Sequence, residues 1–224
     1  LTTISSSTPL STIDPTINST STSTVYAPNK KLSEVAYPTV TGTAGSWSWN
    51  SPNTAVGNFG TRSFDATFTP TDTNTYHSVT KSISVTVTKA NPDYTAPTGL
   101  TATYGDTLNN VSLSGGGGSG TWSWKTPSTS VGDVGDRPFK AVFTPNDTTN
   151  YNAVETSLTV KVNAKEISFT ATIADKHYDG KTSIDKDSVT PTLNGLVSGD
   201  GSKVTLSKGT ASFQDASVGQ NKAV

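Results

Sequence analysis

Displaced on itself by about 75 residues, the chain superposes two stretches closely, and no other feature constrains its fold so strongly. The match runs from Trp47 to Val87 and from Trp122 to Val162. Trp47-Ser48-Trp49 meets Trp122-Ser123-Trp124, Pro52 meets Pro127, Val56-Gly57 meets Val131-Gly132, and Gly60 meets Gly135. Further on, Arg62, Phe64, Ala66 and Phe68-Thr69-Pro70 meet Arg137, Phe139, Ala141 and Phe143-Thr144-Pro145. Asp72, Tyr76 and Val79 meet Asp147, Tyr151 and Val154, so that about half of the aligned positions are identical. A chain built this way folds as a row of like units, each small.

Within the repeat, Phe64, Ala66 and Phe68 alternate with polar residues, as do Ile83, Val85 and Val87. An apolar period of two places alternate side chains on one face of a strand. Pro70 and Pro145 cannot donate to a ladder and end their strands, after which Asp72 and Asp147 open polar turns. Tyr76 and Tyr151 resume the apolar pattern as packing residues of the tyrosine-corner kind. Upstream the copies differ in length: Tyr26-Ala27-Pro28 faces Tyr104-Gly105-Asp106, and the run Gly115 to Gly118 has no strict partner. Leu10 to Val25 resembles Asp93 to Thr103 and reads as the first strand of the first copy.

From about Lys165 the pattern changes. Ile167, Phe169, Ala171 and Ile173 alternate as a strand, and Val204–Leu206 and Ala211–Phe213 read as short strands between Gly-rich turns. The expected organisation is a tail over residues 1–9, a first repeat over 10–89, a second over 90–163, and a different module over 164–224. The fold class expected is all-β, with tandem small β-sandwich, immunoglobulin-like modules in a row; β-grasp-like modules are the alternative. The links Lys89-Ala90-Asn91-Pro92 and Asn163-Ala164-Lys165 are too short to fold one module back on the next, which predicts an end-to-end arrangement.

Composition narrows the function. Ser and Thr make up roughly a third of the chain, favouring strands and turns. With no Cys and no Met, thiol nucleophiles, disulfides and thiolate metal sites are excluded. A net charge of −1 with singly scattered Lys and Arg leaves no basic patch for nucleic acid, and no apolar run approaches the length that spans a bilayer. His77 is replaced by Asn152 in the second copy and His177 lies in the third module, so no catalytic pair recurs. No nucleophile elbow, phosphate loop or paired-carboxylate motif is present, and the chain reads as non-enzymatic.

The candidate functional side chains are Trp47 with Trp49 and Trp122 with Trp124, since residues i and i+2 of a strand share a face. Either each pair fills the core of its module or it forms an aromatic platform for sugar rings. Asp72, Asp147, Asp185 with Asp187, and Asp200 are candidate oxygen ligands for a structural calcium ion, although turns favour Asp for backbone hydrogen bonding alone. Arg62 and Arg137, beside the Gly60 and Gly135 turns, can cap a Trp face or pair with a carboxylate. No cofactor is called for.

Tyr104-Gly105-Asp106-Thr107-Leu108 with Val111 and Leu113, Trp122-Ser123-Trp124, and Phe143-Thr144-Pro145 to Asn150-Tyr151 resemble the MBG-type repeats found in strings in bacterial surface adhesins. The first copy has Ala27 where Gly is usual. Tyr178-Asp179-Gly180, then Leu193-Asn194-Gly195-Leu196-Val197-Ser198-Gly199-Asp200, then Phe213 to Gly219 resemble the YDG-type domain that accompanies such repeats. The resemblance implies an extracellular, cell-surface setting and a monomeric fragment of a longer chain, with a stalk that projects a distal binding region. The alternative it leaves is direct binding of host glycans or mucin-type glycoproteins. It also implies further strands after the Val218-Gly219 stretch, so the third module is expected to be truncated, with weak order from about Gly199 or a neighbouring molecule along its open edge.

Overall fold

The computed structural model describes residues 11–222. The expected tail over residues 1–9 lies outside them, as does the terminal Val224. The described residues hold strands and single-turn 3-10 elements and no α-helix, so the protein is all-β. The strands are β1 (Ser21–Val25), β2 (Gly45–Trp49), β3 (Gly60–Pro70), β4 (Val79–Thr88), β5 (Tyr94–Thr95), β6 (Leu100–Thr103) and β7 (Gly117–Gly118). They continue as β8 (Gly120–Trp124), β9 (Gly135–Pro145), β10 (Val154–Asn163), β11 (Ser168–Ile173), β12 (Ser183–Ile184), β13 (Val189–Asn194) and β14 (Ala211–Ser212).

The first repeat forms one four-stranded sheet in the order β1-β4-β3-β2. The β2–β3 and β3–β4 pairings are antiparallel, whereas β1 lies parallel to β4, with Ser21 opposite Ser84 and Val25 opposite Thr88. One face carries Trp47, Trp49, Ala66, Phe68, Ile83, Val85 and Val87, all buried. These are the period-two positions of the sequence. The layer closing that face is a loop rather than a second sheet. Leu32, in a 3-10 turn over Leu32–Glu34, joins Val35 and Val56 in the same core. The loop is pinned by its own backbone: Leu32 N–H donates to Thr54 C=O (2.9 Å), Ser33 N–H to Pro52 C=O (2.9 Å) and Val56 N–H to Lys30 C=O (2.9 Å).

The second repeat copies this plan, with a sheet in the order β6-β10-β9-β8 and β6 parallel to β10. Leu108, Val111 and Val131 are buried at the positions aligned with Leu32, Val35 and Val56. The same three backbone bonds recur, from Leu108 to Thr129, Asn109 to Pro127, and Val131 to Asp106. Each 3-10 turn begins with a side chain folding back on it: Glu34 Oε2 accepts from Lys31 N–H (2.7 Å), and Asn110 Oδ1 from Thr107 N–H (3.1 Å). The Gly run finds its use in β7, which pairs with β5 as a short ribbon specific to the second repeat.

Contact density divides the described chain into two compact units that do not follow the sequence repeat. One takes the residues up to Pro97 with Leu113–Lys125 and Lys140–Ser157; the other takes Thr98–Ser112, Thr126–Phe139 and the chain from Leu158 onward. Strands β9 and β10 therefore contribute residues to both.

In the third module β11 pairs antiparallel with β13, and β12 with β14. Ala211–Ser212 is a strand as expected, but Val204–Leu206 is not. The alternation there is only two apolar residues long, Leu206 is 42% exposed, and Lys203 beside it is held to Asp200 (2.8 Å). Too little apolar surface is at stake to order a strand at that point.

Candidate functional site

The tryptophans sit on the core face of β2 and β8. Trp47 and Trp49 are 7% and 5% exposed. Trp47 meets the Phe68 ring edge-on at 5.2 Å, and Trp49 stacks on Tyr37 at 5.4 Å with its indole N–H pointing to Val35 C=O (3.5 Å). Trp124 is buried to 8%, while Trp122 is only half-buried. Trp122 packs between Phe143 (5.3 Å) and Tyr94 (5.4 Å), and its indole Nε1 is buried without a hydrogen-bond partner. The Gly run explains how: a Cβ on Gly116 would lie 2.7 Å from that Nε1, so only glycine lets the β5–β7 ribbon close over the ring. Three of the four indoles thus offer no face to a sugar, and the fourth is covered along its polar edge.

The acidic turns hold their own backbone. Asp72 Oδ1 accepts from Asn74 and Thr75 N–H (3.0 and 3.2 Å), and Asp147 Oδ1 from Thr149 and Asn150 N–H (both 3.1 Å). Hydrogen bonds from Thr75 hold the Asp72 carboxyl below its ordinary pKa, and the Asn150 amide does the same for Asp147. Asp185 Oδ1 accepts from Asp187 N–H (2.9 Å), and Asp200 is held low by Lys203 and then by the Tyr104 hydroxyl. Among the described residues no three His, Asp or Glu side chains converge in a metal-binding group.

The guanidiniums close turns. Arg62 donates to Asn58 C=O and lies over Gly57, whose φ of +83° strains any larger residue there. Arg137 donates to Asp133 C=O (3.1 Å) and pairs with its carboxylate (3.6 Å). Neither histidine meets the other: His77 Nε2 lies 2.7 Å from Asp14 Oδ1, and His177 lines a cleft in the third module. That cleft, about 680 Å³, also presents Tyr178, Asp179 and Asp215, with each carboxylate taken up by a lysine, Lys176 and Lys222 respectively.

Sequence reasoning missed a polar joint between the repeats. Asn150, buried to 4%, accepts from Phe59 N–H (2.9 Å) and donates to Asp147 Oδ2 (2.8 Å) and Asn58 Oδ1 (3.3 Å). Tyr26 meets Tyr151 edge-on at 5.5 Å; Lys89 donates to Thr148 C=O (2.6 Å) and lies 5.5 Å from the Phe59 ring centre. The link residue Ala90 bridges to Tyr151, as Ile13 bridges to Tyr76, and Asn91–Asn152 repeats the place of Asp14–His77. The signal available was Asn150 itself, standing where the first copy has Thr75, which is exposed. At the other end of the second repeat, the Tyr104 hydroxyl bonds Asp200, raising the Tyr104 pKa, and a Cβ on Gly105 would meet Val197 at 2.6 Å. Gly105 is left-handed (φ +94°); in the first copy, with Ala27 there, the left-handed residue is Asn29 (φ +59°), a type that tolerates it.

Fold and contacts define an all-β repeat protein whose modules are joined by side-chain contacts as well as by chain. Residues 163–224 match the family model of the YDG domain, which covers the third module. No curated protein matches the chain.

Proposed function

We propose that this chain is a non-catalytic stretch of stalk from a bacterial surface adhesin, in which two MBG-type repeats and a YDG domain hold a distal binding region away from the cell. Burial of Trp47, Trp49 and Trp124 carries the reading, because it commits the largest side chains of the repeats to their own cores. The carboxylates of the turns are likewise engaged in holding backbone, and in the third module's cleft Lys176 and Lys222 are paired with Asp179 and Asp215.

The second reading is glycan binding, and one observation favours it: Trp122 is only half-buried and lies beside Tyr94, which is 37% exposed. A glycan and mucin array probed with the whole chain and with Trp122→Ala separates the two. The stalk reading expects no saturable binding by either protein; binding by the parent that Trp122→Ala abolishes, with its fold retained, would replace it with the lectin reading.

A further inference from the structure

The order and direction of the strands carry a mechanical consequence. In both repeats the first and last strands are neighbours and parallel: β1 on β4, from Ser21 opposite Ser84 to Val25 opposite Thr88, and β6 on β10, from Leu100 opposite Val160 to Thr103 opposite Asn163. Tension along the chain pulls β1 back through Ser21 and β4 forward through Thr88. Because the strands are parallel, these directions are opposed along the ladder, and every bond between them is loaded at once. Ser84 N–H to Thr20 C=O and Tyr26 N–H to Thr88 C=O, both 2.8 Å, mark the two ends of the loaded ladder in the first repeat. Tyr104 N–H to Asn163 C=O (2.9 Å) closes the second repeat as Tyr26 closes the first.

The third module is wired the other way. The last strand, β14, is held by a two-residue antiparallel pairing to β12, with Ser212 opposite Ser183, and in the antiparallel β11–β13 pair the entering residue Ser168 sits opposite Asn194. Tension therefore parts β14 from β12 and then β11 from β13, one pair of residues after another. Forced unfolding is governed by the unfolding barrier along the pulled direction. A ladder that must break collectively resists far more than one opened stepwise, even at equal thermodynamic stability.

We propose that each repeat is a force-bearing clamp, with β1–β4 and β6–β10 as the shear ladders, and that the third module yields first under load. The proposal deepens the stalk reading and rests on it only for the origin of the load. Single-molecule stretching of the whole chain by tags at its two ends should give a low-force event from the third module, then two events of similar length gain at several-fold higher force. The chain has no cysteine, so a Val25→Cys/Thr88→Cys variant supplies unique handles on two exposed residues that face each other at one end of the β1–β4 ladder. Pulled through those handles, the first repeat should open at several-fold lower force than when pulled from the ends. Equal forces in the two geometries, or a single low-force regime in end-to-end pulling of the unaltered chain, would overturn the clamp. Neither result bears on sugar binding, so the stalk reading stands or falls separately on the array.

Discussion

The first repeat and the third module begin from the same kind of sequence and end with different interiors. Phe64, Ala66 and Phe68 alternate on β3 as Phe169, Ala171 and Ile173 alternate along β11, yet Phe68 is 1% exposed and Phe169 is 65% exposed. The repeat brings its own cover, the loop that carries Leu32, Val35 and Val56 onto the sheet, and a four-stranded sheet to place beneath it. The third module's described strands form two-stranded pairs, the marginal case for β structure in water, and its large apolar side chains Ile167, Phe169, Tyr178, Leu206 and Val218 are exposed. Period two makes a strand; burial needs a second layer.

The largest test of that contrast is Phe68→Ala against Phe169→Ala. The first should cost about 3–5 kcal/mol and the second stay within about 0.5 kcal/mol. All four tryptophans lie in the repeats, so denaturant unfolding followed by their fluorescence reads the repeats alone, and circular dichroism reads the whole. Equal losses would mean that β11 is as well covered as β3.

Next comes Gly116→Ala against Gly201→Ala. The added methyl would strike the Trp122 indole and Pro97 in the repeat, and would meet nothing within 4 Å in the third module. A loss of about 1–3 kcal/mol is expected for the first and almost none for the second, with the blue-shifted part of the emission spectrum changing only in the first.

The joint between repeats is sharpened by Asn150→Ala against its aligned, exposed counterpart Thr75→Ala. Removing the amide strands Phe59 N–H and costs about 1–3 kcal/mol by calorimetry. Thr75→Ala should cost clearly less, since it lies at the surface.

The smallest effect is on pH. Depressed carboxyl pKa values contribute stability that is present above the ordinary carboxylate range and lost as pH falls through and below it. Asp72 and Asp147 are depressed first by Thr75 and Asn150, whereas Asp179, Asp200 and Asp215 are depressed first by Lys176, Lys203 and Lys222. Acid titration below about pH 4 should therefore weaken both regions, but added salt should shrink the effect in the third module and leave that of the Asp72 and Asp147 turns, because exposed ion pairs are screened while turn hydrogen bonds are not. Glu155 of the second repeat, depressed first by Lys125, should respond to salt as the third module does. Amide exchange resolved by segment, at low and high salt, reads the two separately.

The repeat, the strands of the repeats and the turns at Asp72 and Asp147 were legible in the sequence because each depends on neighbours within a few residues: alternation, a proline without a donor, a carboxylate reaching its own backbone. The tryptophans were legible as a pair sharing one face and not as buried or exposed, since that depends on what the chain lays over them. Val204–Leu206 met the local rule for a strand and failed for want of apolar surface and of a partner among the described residues. Only the tertiary structure decided that β1 runs parallel to β4, that a loop with Leu32 closes the sheet, that Gly116 seals the indole edge of Trp122, and that Asn150 ties one repeat to the next. All but the Gly116–Trp122 contact join residues far apart in the chain, and that one depends on the distant β5 that pairs with the Gly run, so no local preference encodes which surface will meet them.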